Sequence, residues 1–463
     1  MSSKRTENEP ASGQRRSSAD PGLPRLTVRV EGERGYLYDR RDHQYRALNA
    51  GECFLLAEGR QRPLSALAPL LAAVGRPQRA AADLARVRRL TGTAEGSRLR
   101  AELVELTPVP GAAAAPLVVH LGLTQACNFA CAHCYSSSGR RADDELTAGE
   151  LRALVDELAA IGCCKLVVGG GEPFLRRELV GLVESAQRCG VDCFVHTNGS
   201  RLRPATLSRL ARAAPAALVV SLDGPDAPSN DRMRGAGSFE KTRRGLALLR
   251  AHYPPGFAIS FTVTPTNYNL AGDMVELAKR EGARLLLLRP AYPAGAALRA
   301  GSDMACNRDQ FAAAVEQARR ANRRGHLLLD APHTEERTPP DFEGFGCVAG
   351  RLVAGITPSG RVTPCLNLPG RFAAGSLRQR SLLELWREGA SFVALRALQP
   401  AGDCGRCARY PVCRGGCRVR ALARHRRVDA PDAWCSFEPL PRYRSGRLRR
   451  RAGNATISVE TSA

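Results

Sequence analysis

From about residue 117 to residue 288, short apolar runs alternate with longer amphipathic runs, and this alternation constrains the fold more than any other feature. Runs of strand length occur at 116–123, 164–168, 191–196, 217–222, 257–264 and 284–288. Runs with helical spacing of apolar residues separate them at 147–161, 177–188, 205–213, 239–252 and 270–281. Strands that alternate with helices predict a parallel sheet with right-handed crossovers. We therefore predict an α/β fold in which six strands form an incomplete barrel over residues 117–330, with the functional site at the carboxyl ends of the strands.

Three cysteines directly follow the first of these strands. Cys127, Cys131 and Cys134 have the spacing C-x3-C-x2-C. An iron-sulfur cube held by only three thiolates keeps one iron open to bind a small molecule, whereas a cube held at every iron is suited to passing electrons. The pattern therefore indicates a catalytic 4Fe-4S cluster. A zinc knuckle or a set of buried thiols is the alternative.

The spacing of these cysteines resembles the signature of the radical S-adenosylmethionine (AdoMet) superfamily, with His133 at the usual aromatic position of that motif. The resemblance implies that the open iron chelates AdoMet, which is cleaved by one electron to methionine and a 5'-deoxyadenosyl radical that abstracts hydrogen from a substrate. A reducing partner such as flavodoxin or ferredoxin would supply the electron. The incomplete barrel is then expected to be a partial (β/α)6 TIM-like barrel.

Further stretches at the strand ends resemble AdoMet-binding loops of the same superfamily. The second strand runs into Gly-Gly-Gly-Glu-Pro, and the resemblance implies that Gly170, Gly171 and Glu172 meet the amino end of AdoMet. Asn198 and Ser221 lie at the ends of the third and fourth strands. The resemblance implies that both contact AdoMet, through polar groups suited to ribose hydroxyls. Ordinary turn chemistry is the alternative for these two residues.

A second group of cysteines occupies the C-terminal part of the chain. The seven residues that share one pattern are Cys347, Cys365, Cys404, Cys407, Cys413, Cys417 and Cys435. The pattern resembles the SPASM domain, an extension of AdoMet-radical enzymes that holds two auxiliary 4Fe-4S clusters. A zinc ribbon is the alternative. We expect this domain over residues 331–440, and a solvated basic tail over residues 441–463.

The resemblance to SPASM domains also divides these cysteines between two clusters. Cys404, Cys407, Cys413 and Cys435 are implied to hold one cluster completely. The remaining set, Cys347, Cys365 and Cys417, is implied to hold the other cluster, whose fourth site is open or bound by a residue other than cysteine. Together with the cluster at Cys127, Cys131 and Cys134, these two clusters give the chain an expected total of three 4Fe-4S clusters.

The N-terminal part of the chain follows a different pattern. Residues 1–24 are Ser, Arg, Pro and Glu with little to bury, which predicts a disordered arm. Three strand-like runs and then three helical runs predict a winged-helix-like α+β domain over residues 25–107, and a Pro- and Ala-rich run predicts a linker over residues 108–116. The domain resembles the recognition element of peptide-modifying systems, which implies that an open sheet edge accepts a precursor peptide as an added strand. A generic winged helix or a packing domain is the alternative.

Composition narrows the possible partners and location. The formal net charge of +23 comes almost wholly from arginine, but these arginines are spread along the chain and only 5% of residues are aromatic. Nucleic acid is therefore not the expected partner. We find no secretory signal pattern and no apolar run long enough to cross a membrane, which predicts a cytoplasmic protein without a membrane partner.

Together, these patterns favour a radical AdoMet enzyme with auxiliary clusters that modifies a residue of a ribosomally made precursor peptide held by the N-terminal domain. The expected modification is one such as a thioether or carbon crosslink. Two alternatives stay open at this point. One is biosynthesis of a small quinone or haem-derived cofactor, and the other is a nucleic-acid-binding redox sensor.

Overall fold

Two β-sheets organise the chain in the computed structural model, which describes residues 23–73, 77–94, 96–299, 304–323, 325, 327–331, 347–399 and 401–435. The predicted basic tail, and the predicted N-terminal arm apart from residues 23 and 24, lie outside these residues. Within the described part of the chain, no helix combines the length and apolar content needed to cross a membrane.

The first sheet belongs to the N-terminal domain. Its three predicted strands are present as β1 (Leu26–Glu31), β2 (Arg34–Asp39) and β3 (Gln44–Leu48), and helices α1 (Ala50–Glu58), α2 (Leu67–Ala73) and α3 (Pro77–Thr91) follow them. Asn49 begins α1 as expected, because its side chain accepts from the backbone of Glu52 and the Glu52 carboxylate accepts from Asn49 in return. A fourth strand that the sequence pattern did not indicate, β4 (Ala101–Glu105), pairs in parallel with β1. The sheet order is therefore β3-β2-β1-β4.

The second sheet contains the predicted parallel strands. All six are confirmed: β5 (Val118–Thr124), β6 (Lys165–Gly170), β7 (Asp192–Thr197), β8 (Ala217–Ser221), β9 (Ala258–Val263) and β10 (Leu285–Pro290). Neighbouring strands along the chain pair in parallel. The helices between them are α4 (Ala148–Ala160), α5 (Leu179–Arg188), α6 (Pro204–Ala213), α7 (Ala227–Arg234), α8 (Ser238–His252) and α9 (Ala271–Arg280). Parallel strands with crossover helices form the expected partial barrel.

Both edges of this sheet are longer than the sequence predicted. On one side, helices α10 (Ala296–Arg299) and α11 (Arg308–Ala321) lead to a short strand, β11 (Leu328–Asp330), that pairs with β10. On the other side, β12 (Val353–Ile356) pairs in parallel with β5, and β13 (Arg361–Thr363) and β14 (Gly375–Ser376) continue the sheet. The cysteine-rich C-terminal region is therefore continuous with the barrel sheet.

Helices complete the C-terminal region. They are α12 (Leu382–Glu388), α13 (Ala390–Ala397), α14 (Tyr410–Cys413) and α15 (Arg418–His425). Trp386 of α12 is fully buried, and its indole nitrogen donates to the backbone oxygen of Ala113 at 2.9 Å. Burial of an aromatic side chain of this size contributes about 2–3 kcal/mol.

The segment predicted as a linker is packed against both of its neighbours. Residues 112–115 are alanines with no exposed surface. On the N-terminal side, the Arg29 guanidinium donates to the backbone oxygens of Ala115 and Pro116. The Arg351 guanidinium of the C-terminal region donates to the backbone oxygen of Gly111. Small side chains allow the N-terminal domain and the C-terminal region to approach this segment closely, so it holds the two against each other.

The N-terminal sheet rests on the end of the barrel where the strands begin. The Tyr38 hydroxyl donates to the Asp192 carboxylate at 2.6 Å, and the Tyr45 hydroxyl accepts from the backbone N–H of Cys164 at 2.6 Å. The Lys165 ammonium lies 5.9–6.0 Å from the centroids of both tyrosine rings. This end is opposite to the carboxyl ends of the strands, where the candidate site lies.

Candidate active site

The three cysteines that follow β5 are brought together at the carboxyl end of the sheet. All three thiols are free and half-buried. Burial is the main reason that the pKa of the Cys131 thiol is raised to about 11. The neighbouring Cys134 and Cys127 raise the same pKa further. Because Cys127 and Cys134 both act on the Cys131 thiol, the three cysteines make one candidate ligand group.

A buried ion pair holds the strand in front of these cysteines. The Glu145 carboxylate accepts from the Thr124 hydroxyl and the Gln125 backbone, each at 2.8 Å, and pairs with Arg176 at 2.7 Å. Burial by itself would raise the pKa of Glu145, but these hydrogen bonds and the Arg176 charge leave it below its usual value. Arg176 also donates to the backbone oxygen of Leu123. We call residues 125–135, which carry the three cysteines, the cysteine loop. The ion pair therefore fixes the direction in which the chain leaves β5 and enters this loop.

His133 belongs to a second buried network that the sequence did not reveal. Its Nε2 lies 3.1 Å from the Asp223 carboxylate, which lies 2.6 Å from the Arg234 guanidinium. Asp223 has no exposed surface, and burial by itself would raise its pKa. Arg234 and His133 instead hold that pKa well below its usual range. The sequence contains one signal for this network, because Asp223 directly follows the fourth strand and Arg234 closes the next helix.

The same network places a positive charge beside the cysteines. Burial opposes the charge of Arg234, but Asp223, Cys131 and Cys134 raise the pKa of its guanidinium. A buried guanidinium stays protonated and stabilises nearby thiolates. Thiolates are the forms that bind metal. The charge distribution around the three cysteines therefore suits a bound iron-sulfur cluster.

The glycine-rich loop after β6 packs against the segment that leads into Cys127. Gly171 donates to the backbone oxygen of Thr124 at 2.7 Å, and the backbone of Glu172 donates to the oxygen of Ala126 at 2.8 Å. A Cβ on Gly171 would lie 2.0 Å from the Ala126 oxygen, and Gly170 has φ of +100°. The glycines therefore allow the backbone of this loop to lie directly against the backbone of the cysteine loop.

The Glu172 side chain connects this loop to the end of β7. It is fully buried and accepts from the Thr197 hydroxyl and the Asn198 backbone, each at 2.7 Å, and from the Phe174 backbone at 3.0 Å. Burial raises the pKa of Glu172, although these three hydrogen bonds oppose the rise. A carboxylate has about four acceptor positions, so about one is left for a further donor.

Asn198 and Ser221 lie at neighbouring strand ends, as expected, but differ in their surroundings. The Asn198 amide donates to the Asn128 side chain at 3.1 Å and accepts from Ser200 at 2.6 Å. Asn128 lies between the first two cysteines of the loop, so Asn198 ties β7 to that loop. Ser221 is half-buried at the end of β8, opposite Ser260 of β9.

The C-terminal cysteines influence one another's thiols in two groups, and their division between two clusters stays a prediction. In the first, burial raises the pKa of the Cys404 thiol, and the nearby members of the group raise it further: Cys435, Cys413 and Cys407. In the second, burial raises the pKa of Cys365 to about 12, and Cys347 and Cys417 add to the rise. No three His, Cys, Asp or Glu side chains in the described ranges are placed to hold one single metal ion.

A cavity of about 900 Å³ connects the two cysteine-rich regions. We call it the mouth cavity. Its lining includes Gly122 and Gly170 at the barrel mouth, Tyr135 beside Cys134, and Leu366 beside Cys365. A molecule in this cavity would therefore lie next to the glycine-rich loop after β6 and close to the segment that carries Cys365.

Comparison with known proteins agrees with the geometry. Residues 121–279 match a family model described as the radical SAM superfamily, and residues 347–418 match one described as an iron-sulfur cluster-binding domain, SPASM. The mycofactocin maturase MftC of Mycobacterium tuberculosis is 34% identical over 365 residues, which cover 75% of this chain and 92% of MftC. The chain belongs to the radical SAM superfamily. A radical SAM protein with this C-terminal domain uses iron-sulfur clusters and AdoMet.

Two further comparisons place this radical SAM enzyme among its relatives. The AdoMet-dependent heme synthase of Nitratidesulfovibrio vulgaris is 30% identical over 345 residues, covering 68% of this chain and 91% of that protein. SuiB of Streptococcus suis, in a crystal structure bound to S-adenosylmethionine, superposes with a TM-score of 0.69 at 15% identity, covering 89% of this chain and 99% of SuiB. SuiB bound to precursor peptide SuiA superposes equally well, with a TM-score of 0.69. The fold of the chain is thus shared with SuiB over nearly its whole length.

Proposed function

We propose that this enzyme is a radical SAM peptide maturase. It reductively cleaves AdoMet to a 5'-deoxyadenosyl radical, which abstracts hydrogen from a residue of a ribosomally synthesised precursor peptide to install a modification such as a thioether or carbon crosslink. The similarity to the mycofactocin maturase MftC carries this proposal, and the mouth cavity offers a place for the substrate. The cavity volume of about 900 Å³ lies at the upper end of the range for ligand pockets, and the cavity extends from the barrel mouth to Leu366, the residue after Cys365.

The cysteine groups are suited to three 4Fe-4S clusters. Cys127, Cys131 and Cys134 would hold the AdoMet-binding cluster, which supplies the electron for AdoMet cleavage when bound. The first C-terminal group would hold a closed cluster, and the second would hold a cluster with a fourth site not supplied by cysteine. A flavodoxin or ferredoxin would reduce them.

The residues around the AdoMet-binding cysteines have separate tasks in this proposal. Glu172 would use its remaining acceptor position for the cationic amino group of AdoMet, because a charge-assisted hydrogen bond suits a buried carboxylate. Gly170 and Gly171 would bring that carboxylate against the cysteine loop. Asn198 and Ser221 would face the ribose from the ends of β7 and β8. Arg234 would hold the three sulfur atoms in their thiolate form.

The N-terminal domain would bind the precursor peptide through β3. Among the described residues, this strand pairs with β2 alone and stands at the end of the sheet order, so its outer side offers backbone groups for strand addition. Part of that side is in use, because Arg86 donates to the backbone oxygen of Ala47. Peptide bound there would lie at the opposite end of the barrel from the cysteine loop. A flexible stretch of precursor would therefore have to span the barrel.

One relative supports a second candidate function. The AdoMet-dependent heme synthase acts, by its name, in production of a small cofactor, and it shares 30% identity with this chain. Maturation of a small cofactor would use the same cysteines and the same cavity. A small-cofactor function would not use the outer edge of β3.

An anaerobic assay separates the two functions. Reconstituted enzyme would be incubated with dithionite, AdoMet and the synthetic product of any short open reading frame beside its gene, and 5'-deoxyadenosine and peptide mass would be measured together. A change in peptide mass that requires both AdoMet and reductant supports the maturase. Release of 5'-deoxyadenosine with every such peptide left unmodified would favour the small-cofactor function.

A further inference from the structure

Three guanidinium groups line the mouth cavity. They belong to Arg361 of β13, Arg371 in the following turn, and Arg426 just after α15. All three residues are exposed. Within the described ranges, none of these guanidiniums has an ion pair or a hydrogen bond, and Arg371 only stacks on the ring of Phe372 at 5.1 Å. The cavity therefore holds three uncompensated positive charges.

The described lining of the cavity contains no acidic side chain to balance them. Two arginines close by in the fold do have acidic partners. Arg378 pairs with Glu150 at 2.6 Å, and Arg420 pairs with Asp432 at 2.6 Å. What distinguishes Arg361, Arg371 and Arg426 is that they face one concave space whose described lining holds no acidic side chain.

Like charges that face one concave space repel one another and raise the local concentration of anions. Guanidinium groups bind carboxylates with two parallel hydrogen bonds. Tyr135 is the one aromatic side chain in the described lining, whereas proteins that bind single-stranded nucleic acids provide several aromatic rings for base stacking. Carboxylates of a peptide fit this lining better than phosphates of a nucleic acid.

We propose that the mouth cavity binds an acidic segment of the peptide substrate through Arg361, Arg371 and Arg426. This rests on the proposed peptide maturase function and adds a charge requirement to it. Carboxylates on the segment pair with the guanidiniums, while the residue to be modified lies toward Gly170 and Tyr135 at the barrel mouth. The peptide is thereby held at both ends of the barrel, by strand addition at β3 and by charge at the mouth cavity.

Binding of a model acidic peptide tests the charge requirement. Fluorescein-labelled octaglutamate would be titrated anaerobically with full-length reconstituted enzyme at fixed ionic strength, and anisotropy would report binding. Arg426→Glu and the double variant Arg361→Glu/Arg371→Glu should each weaken binding by roughly tenfold to a hundredfold, the effect of losing charge-assisted hydrogen bonds. Two variants in separate elements keep the test decisive if one of them does not fold.

Arg424→Glu is the matched control. Arg424 is exposed on α15, two residues before Arg426, and does not line the cavity. Its substitution changes the net charge as much as Arg426→Glu does, so it should alter octaglutamate binding less than about twofold. Equal weakening by the two variants would show a long-range effect of net charge and would overturn the proposal.

Competing ligands separate the kinds of anion. Labelled octathymidylate should bind more weakly than octaglutamate, and tighter binding through the same arginines would assign the cavity to nucleic acid. Propane-1,2,3-tricarboxylate should displace octaglutamate only at much higher concentration, and displacement at equal concentration would assign the cavity to a small anionic substrate. The maturase function is judged separately by the mass of a modified precursor. A precursor that is modified equally well by wild type and Arg426→Glu would refute the charge requirement alone.

Discussion

Replacement of Gly171 by alanine should disrupt the junction between the glycine-rich loop and the cysteine loop. A Cβ at this position would lie 2.0 Å from the backbone oxygen of Ala126 and 2.6 Å from its carbonyl carbon. Both atoms belong to backbone, so no flexible side chain can move aside. The two loops must separate.

The expected cost follows from the bonds that hold these loops. Separation breaks the bonds from Gly171 to Thr124 and from Glu172 to Ala126. Each backbone hydrogen bond contributes about 1 kcal/mol, and a buried group left without a partner costs about 1–3 kcal/mol. We expect Gly171→Ala to lower the free energy of unfolding by about 2–4 kcal/mol. AdoMet binding should weaken as well, since Glu172 moves with the loop.

Gly181 offers a matched control in α5. A Cβ there meets nothing within 4 Å, and helical alanine is favoured over glycine by about 0.5–1 kcal/mol. The two variants would be compared by anaerobic urea unfolding, by iron content after reconstitution and by AdoMet binding. Gly181→Ala should match or exceed wild type in all three. If Gly171→Ala were as stable as Gly181→Ala and bound AdoMet normally, the role given to this junction would be wrong.

Other substitutions test separate parts of the site. Asp223→Asn should lower the free energy of unfolding by about 3–5 kcal/mol, because Arg234 would keep a buried charge without its partner. The control Asp226→Asn, at an exposed helix cap, should change that free energy by less than about 0.5 kcal/mol. Burial first, and then His120 and Arg289, lower the pKa of His196 to about 4, so the unfolded chain binds a proton near pH 6.5 at this residue and the folded chain does not. Stability should therefore fall as pH drops from 7 to 5, and His196→Gln should reduce that fall, since buried His120 contributes the remainder; an unchanged profile would exclude His196 as a cause. Cys413→Ser should remove about four of about twelve irons and leave AdoMet cleavage measurable, and a full iron content would contradict the assignment of its group.

Local signals explain how much of the fold the sequence could predict. Thr147 and Glu150 form the expected capping box, and α4 begins at the next residue after Thr147. Alternating strands and helices are set by periodic apolar residues, which is why all six barrel strands were predicted. The short C-x3-C-x2-C spacing identified Cys127, Cys131 and Cys134 as one candidate group, whereas the C-terminal cysteines are widely spaced and were grouped by family resemblance.

Contacts between distant segments could not be predicted in the same way. β12 pairs with β5 although more than half of the chain separates Val353 from Val118, and no local pattern encodes that pairing. The buried pair of Asp223 with His133 likewise depends on the finished barrel. The partner of Gly171 was also hidden, since a glycine-rich run gives no sign of which backbone it will approach.

Transfer of deuterium from peptide to 5'-deoxyadenosine tests the proposed chemistry most directly. A candidate precursor would be made with deuterated residues and incubated anaerobically with AdoMet, dithionite and either wild-type enzyme or the triple variant Cys127→Ala/Cys131→Ala/Cys134→Ala. Wild-type enzyme should give 5'-deoxyadenosine that carries deuterium, together with a modified peptide, and the triple variant should give neither product. Formation of labelled 5'-deoxyadenosine by the triple variant would contradict the assignment of the AdoMet-cleaving site. Modified peptide without any deuterium transfer would contradict hydrogen abstraction from the peptide.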